Sequence, residues 1–586
     1  MNNEQIQVPG TRTITVDGFK VELDLSSQVL AVDAPIDLYI DFERDFESGR
    51  ASAPLSATLG PIDSAALVSA SVLAQKAKIF DDGLYAAVEV ATQEGAGRHA
   101  GKATLLVSLC RALAGADPSV AGAAQELLLG AARLGHVPVK GIPPAVEAGA
   151  RHAVKAFLAD ESLSKPIGFY TWSRRLSNIF QQDRMLQSEI NTDCINVLAN
   201  ALRADPSARA IYEGHLRLVS QLTNPFTYPD LRRFLEACDR GAADIAEDGM
   251  RFFPPSVAHE TEIIKKLYSS KPIPDNFNLA DEMISRIRSG ELNLEPCAES
   301  GWYDYQTWAL EPLVIPERMP ESKRLHLDDG YRKLLLELFK GLLTLTRETH
   351  VKQLEVPICG AAMQRRNVCI NITPALSAEP LLTFYLRRAL GYRYIRSVLE
   401  QTFGSQELER LHRLTEGGPA PASLTEELSE IESLFLGAHV CVSRELGLAP
   451  DTSMGSNTST SEATERFVTW RRELNSDPDL NLDLRAMVPV FYDVARRKLK
   501  VWAFLGWSRR PITVSFARPP KATIRGLKGR LRLFHPTVRW GALHADLQYP
   551  VTAELYVDRI LDRDEFRKIC DSCGTRSEIL RRLDAS

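Results

Sequence analysis

The sequence predicts a helix-dominated α+β fold built from several domains, and three observations carry that prediction. Apolar residues alternate at two-residue spacing near both ends of the chain, as in strands. Through most of the middle they recur every three or four residues, as on one face of a helix. The length, 586 residues, exceeds what one core ordinarily spans and favours several domains. Apolar and charged fractions of 44% and 25% are those of a folded, soluble protein rather than a disordered chain.

Residues 1–50 read as a small β-region. Thr13-Ile14-Thr15-Val16 precedes Asp17-Gly18, a dipeptide suited to a two-residue hairpin turn, and Phe19 to Leu23 alternates after it. Ile36 to Phe42 alternates too, setting Asp37 and Asp41 opposite Leu38 and Ile40. With Glu43 and Asp45 these carboxylates read as the wet face of an edge strand, because a hard cation needs more converging oxygens. The sequence assigns no metal site and names no cofactor.

Residues 55–160 form an Ala-rich helical domain. Breaks at Asp81-Asp82-Gly83, Gly95-Ala96-Gly97, Ala116-Asp117-Pro118 and Ile142-Pro143-Pro144 predict four or five helices of about ten to eighteen residues.

Residues 165–480 form a central helical domain with an aromatic and polar cluster. Its first marker is Gly168-Phe169-Tyr170-Thr171-Trp172-Ser173, where Thr171 or Ser173 is placed to cap the next helix. His259-Glu260-Thr261-Glu262 reads as an acidic first helical turn, since Ile263 stands where a second zinc-binding His would be needed. The stretch 300–357 is the densest. It opens on Trp302-Tyr303-Asp304-Tyr305-Gln306-Thr307-Trp308. It continues as a helix with the stripe Tyr331, Leu335, Leu338, Leu342 and Leu345, capped by Asp328 or Asp329. Pro357 places that helix end near Leu354. Residues 379–402 predict a further helix, basic and aromatic. Gly417 to Pro421 and the Ser/Thr-rich stretch 452–462 read as linkers.

Residues 485–560 predict a basic antiparallel β-domain and residues 561–586 a helical tail. Val488 to Val494 and Leu499 to Leu505 make a hairpin turning near Arg496-Arg497, with Ile512 to Phe516 as a third strand and Thr552 to Val557 as a later one. Between Phe491 and Trp540 there are thirteen Lys or Arg and one acid, Asp493. In a chain of net charge −5 that asymmetry has two readings. One is a polyanion contact in which Arg509, Arg510 and Arg530 meet phosphates while Trp502, Trp507, Phe516 and Trp540 stack on bases. The other is docking on the protein's own acidic body.

Function follows less directly. One reading is an enzyme or binding protein of unassigned reaction class, with a cleft around 300–357. Tyr170, Trp172, Trp302, Tyr303 and Tyr305 would line it, and Glu348, His350 and Asp304 would be its catalytic groups. Glu348 borders the apolar stripe, and desolvation there would raise its pKa. The alternative is a non-enzymatic interaction or scaffold component of an assembly. The partner on the first reading is an unidentified small molecule, on the second a protein or nucleic acid. No nucleotide-binding glycine motif or serine-nucleophile elbow stands in the required context. Nine scattered cysteines and a start, Met1-Asn2-Asn3-Glu4-Gln5, without a charged-then-apolar signal pattern point to the reducing cytoplasm, and the longest apolar runs fall short of the ~20 residues that a membrane span needs.

Overall fold

The computed structural model describes residues 11–16, 19–24, 38–42, 51–59, 67–226, 228–241, 249–256, 258, 260, 263, 277–351, 376–451, 459–493, 496–516, 524–525 and 543–584. The protein is a helix-dominated α+β structure, as its periodicity predicts.

The first helices are α1 (Ala70–Glu94), α2 (Lys102–Leu113), α3 (Pro118–Leu134) and α4 (Pro144–Ala159). Three of the four predicted breaks are real. Asp117 caps α3 by accepting from Ser119 N–H, with Pro118 fixing the first turn. The fourth is not: α1 runs unbroken through Asp81-Asp82-Gly83 for 25 residues. Both aspartates are buried and paired with cations, which removes their reason to favour a turn. Gly83 is there for space. A Cβ at that position would lie 2.4 Å from Arg413 Cγ and 2.4 Å from the Leu414 carbonyl oxygen.

Next come α5 (Arg174–Leu186), α6 (Thr192–Ala204), α7 (Pro206–Leu222), α8 (Leu231–Asp239) and α9 (Leu279–Ser289). Ser173 caps α5 as expected, accepting from Leu176 N–H at 3.2 Å. Helix α10 (Trp302–Trp308) precedes the long α11 (Asp329–His350), whose cap Asp328 accepts from Tyr331 N–H at 2.8 Å. Helix α11 stops at His350, earlier than the predicted Leu354, because Val351 turns extended. The chain continues through α12 (Leu382–Phe403), α13 (Leu424–Glu445) and α14 (Thr460–Arg472), then ends in α15 (Arg563–Asp571) and α16 (Arg576–Asp584). Both stretches read as linkers carry structure. Gly418-Pro419 pairs with Leu414-Thr415, and Ser459 caps α14, which begins inside the Ser/Thr-rich stretch.

Strands β1 (Thr11–Val16) and β2 (Phe19–Asp24) form the predicted hairpin, with Val16 opposite Phe19. Strand β3 (Leu38–Phe42) runs parallel to β4 (Leu325–Leu327) on one side. On the other it runs antiparallel to a C-terminal strand, so the edge-strand reading of Asp41 is corrected: β3 has neighbours on both sides. Asp37, Glu43 and Asp45 lie outside the described residues. The two-residue strands β5 (Leu414–Thr415) and β6 (Gly418–Pro419) precede β7 (Ala486–Asp493) and β8 (Lys498–Phe516). The β7–β8 turn holds Arg497 at φ 55°. The expected third strand, Ile512 to Phe516, is the far end of β8 itself. Strand β8 stays continuous past Gly506, where the Ser52 backbone approaches so closely that a Cβ would sit 2.4 Å from its carbonyl oxygen. Strand β9 (Ile524–Arg525) pairs with β2, and β10 (Leu543–Val557) pairs along β8. The larger sheet therefore has the order β10-β8-β3-β4, with β7 also beside β8.

Among the described residues apolar burial falls into three clusters. The main core gathers α1, α10, α11, α12 and α13 on one face of the sheet, around residues such as Leu73, Tyr331, Leu338 and Phe435. A second core lies within α2 to α8, around Leu105, Leu128, Leu198 and Phe252. A small third one covers Val501, Ala503 and Leu505 of β8 with Phe566, Ile579 and Leu583 from the tail.

Candidate functional site

The main core encloses a network of ionisable groups. Residues 78, 81 and 82 of α1 share a helical face, and the last turn of α11 presents Arg347, Glu348, Thr349 and His350, all buried. Lys78 Nζ lies 2.6 Å from both Asp82 oxygens, 2.9 Å from Thr349 Oγ1 and 3.0 Å from Glu348 Oε2. Arg563, at the start of α15, donates to Glu348 Oε1 at 2.9 Å. Two cations thus face two carboxylates. Such balance is what allows buried charges at all.

Beside this cluster, Asp81 accepts from Gln306 Nε2 at 2.8 Å, Arg388 Nη2 at 3.0 Å and the Tyr392 hydroxyl at 2.8 Å. Gln306 Oε1 faces His350 Nε2 at 2.9 Å, a contact that requires Nε2 to carry the proton. Further along, the fully buried Arg347 pairs with the fully buried Glu260, and the Tyr303 hydroxyl donates to the same carboxylate at 2.6 Å. The Arg347 guanidinium also donates to the carbonyls of Pro489 and Val490 at 3.3 Å each, tying α11 to β7.

The aromatic residues close the space between these groups. His350 sits against Trp302, Tyr303 and Tyr85, with ring centroids 5.1, 5.3 and 5.5 Å away. Phe169 lies 5.4 Å from Tyr85 and 4.4 Å from Tyr170, whose hydroxyl donates to Glu89. The two aromatic runs are therefore linked by a line of ring contacts through Tyr85 and His350. Trp172 is half-buried beside Phe169, and half-buried Tyr305 stacks on Tyr394 at 4.4 Å. Asp304 is buried on α10, at 7% exposure. A cavity of about 20 Å³, lined in part by Lys78, Asp81, Phe384 and Arg388, adjoins the network and has room for one water.

The electrostatics reverse one expectation. Burial pushes the Glu348 carboxyl up, but Lys78 and Arg563 outweigh it and hold the group down at about 2. A carboxylate held there stays ionised at neutral pH, opposite to what a general acid needs. Asp81 goes the other way: burial raises it more than Arg388 and Tyr392 lower it. Sequence reasoning passed over Lys78, Asp81, Asp82, Arg388 and Arg563 as members of this network. The available signal was a Lys and an Asp four residues apart amid an otherwise Ala-rich, apolar helix.

Several cations of the basic sheet have carboxylate partners. Arg496 pairs with Asp493, Lys498 lies 3.6 Å from Asp558, and buried Lys500 lies 3.4 Å from Glu554. Arg509 is exposed and Arg510 half-buried on β8, where burial lowers the Arg510 pKa against a small opposing pull from Glu337. Arg530 and Trp540 lie outside the described residues. Trp502 and Trp507 are not free to stack on bases: they are 3% and 1% exposed, and the Trp502 indole donates to Glu554.

Among the described residues no helix is long and apolar enough to cross a membrane. No protein-family model, no curated protein and no solved structure matches the chain.

Proposed function

We propose that the chain is an interaction protein that contacts nucleic acid through the connection between β8 and β10, and that the buried charge network is structural. The observation that carries this reading is a run of cations in the sequence without interleaved acids. Cations at the start of the sheet have carboxylate partners. Beyond Phe516 the sequence adds Arg518, Lys521, Arg525, Lys528, Arg530, Arg532 and Arg539 before Leu543, with no Asp or Glu between. Strands β8 and β10 are antiparallel neighbours, so this whole stretch joins two adjacent strands. Such joins usually take about two to five residues; this one is longer and carries β9, which pairs with β2. Acid-free cationic chain suits phosphates, and Phe534 and Trp540 within it supply stacking faces.

The cleft reading draws less support. Glu348 is committed to two cations, and the adjoining cavity of about 20 Å³ is too small for a substrate.

Fluorescence anisotropy with a single-stranded oligonucleotide at two salt concentrations tests the proposal. Binding weakens steeply with salt, and Arg509→Ala/Arg510→Ala/Arg530→Ala weakens it for all sequences alike. Absence of binding at the lower salt rules the reading out and leaves the basic residues to intramolecular docking.

A further inference from the structure

A second, separate feature lies away from both regions. The chain following α8 returns alongside the end of α5. Ile190 N–H donates to Met250 O at 3.0 Å, Phe253 N–H to Leu186 O at 3.1 Å, and the backbones at positions 189 and 251 form an isolated antiparallel β-bridge. This brings two arginines onto one residue. Arg184 Nη1 donates to Gln187 Oε1 at 2.9 Å, and Arg251 Nη1 donates to the Gln187 carbonyl at 2.6 Å. Arg184 Nε also donates to the Leu163 carbonyl at 3.3 Å. Every one of these acceptors is neutral.

Half-buried Arg324 likewise donates to a carbonyl, Gly447 O at 3.4 Å, and has a buried Nε without a partner. Other half-buried arginines, Arg232, Arg387 and Arg393, each have a carboxylate within ion-pair distance. Among the described residues none lies within that distance of Arg184 or Arg251. Asp160 faces Arg184 only as a weaker attraction, and burial followed by the Arg251 charge brings Arg184 down to about 10. Arg251 Cζ lies over the Tyr228 ring, 4.3 Å from its centroid. Its Nε is buried and has no hydrogen-bond partner. Placing Arg184 in the last turn of α5 complements the helix dipole, which accounts for one cation. It leaves the second cation and its unmet buried donor unexplained.

We propose that Arg184 and Arg251, with Tyr228 as a supporting face, form a binding site for a phosphate group. Two guanidiniums with no carboxylate at ion-pair distance among the described residues supply positive charge and forked donors of the kind that phosphate oxygens accept. The phosphate is either free or carried on a nucleotide.

Thermal melting of the full chain tests this. Inorganic phosphate, and separately a nucleoside 5′-monophosphate, is compared with chloride at equal ionic strength. Phosphate stabilises many proteins by exclusion from their surface, so the measured quantity is the difference between wild type and variants. The expected result is a rise in melting temperature for wild type that is abolished in Arg251→Gln and Arg184→Gln and partly kept in Arg184→Lys. Should Arg251→Gln fail to fold, the comparison of Arg184→Gln with Arg184→Lys decides. A rise with inorganic phosphate supports a free-anion site, and a rise with the monophosphate alone supports a carried one. Equal rises in all the proteins, or none in wild type, overturn the proposal.

Discussion

Replacing Lys78 with Met probes the buried network most sharply. The methionine keeps the length and apolar stem of the lysine, so packing changes little. It removes one of two cations that face Asp82 and Glu348. The three side chains are 4%, 2% and 7% exposed, so solvent cannot take over the cation's role. An exposed pair would cost ~0–1 kcal/mol to break, whereas breaking a buried one costs ~3–5 kcal/mol because a carboxylate is left uncompensated. The expected loss is therefore ~3–5 kcal/mol, read at neutral pH from the urea midpoint and slope. Adding Glu348→Gln to Lys78→Met restores balance, with Arg563 and Asp82 as the remaining charges. The double variant should then be more stable than the two single losses predict, by ~0.5–3 kcal/mol. A Lys78→Met cost below ~1 kcal/mol, or strict additivity in the double variant, would refute the argument that charge balance holds this cluster together.

Other outcomes follow from single contacts. Ala usually stabilises an exposed helix interior by up to ~1 kcal/mol over Gly, but Gly83→Ala should destabilise by ~1–3 kcal/mol because its Cβ meets Arg413 and the Leu414 backbone; a rise in melting temperature would show that the approach is looser than described. Burial lifts Glu445, the last residue of α13, to about 7 despite the Ser377 N–H and hydroxyl that it accepts. A raised folded-state value means that its contribution is present at low pH and is lost as pH rises from the ordinary glutamate range through about 7. Glu445→Gln should remove that part of the pH dependence in melts compared across the window, and an unchanged profile would count against it. Tyr303→Phe removes a hydroxyl donor from the fully buried Glu260 carboxylate and should cost ~1–3 kcal/mol by chemical denaturation; a loss within error would place Glu260 outside the network.

Much of the fold was legible because it is written locally. Asp17-Gly18, the caps Ser173 and Asp328, and the breaks at Pro118 and Pro144 all act within a few residues of themselves. What stayed hidden depends on distant partners. Asp81-Asp82-Gly83 looks like a break until Arg388, Lys78 and Arg413 are seen against it. Asp41 looks like an edge residue until β3 is placed between β4 and β8, whose residues come from hundreds of positions later. At the candidate site, the sequence singled out the last turn of α11, and the rings of Trp302, Tyr303 and His350 meet. It misjudged the direction of the Glu348 pKa because Lys78 and Arg563 come from opposite ends of the chain. Nothing in the spacing around Glu348 reveals them. The arginines at 184 and 251 are likewise brought together only by the return of the chain beside α5.

The most direct measurement compares oligonucleotide affinity in two variants of the whole chain at low and moderate salt. One carries Arg518→Glu, Lys521→Glu and Lys528→Glu. The other carries Glu348→Gln. The account predicts salt-sensitive binding in wild type, loss of binding on charge reversal, and wild-type affinity for Glu348→Gln wherever that variant is folded. Binding that survives the reversal, or that disappears with Glu348→Gln in a folded protein, would contradict it.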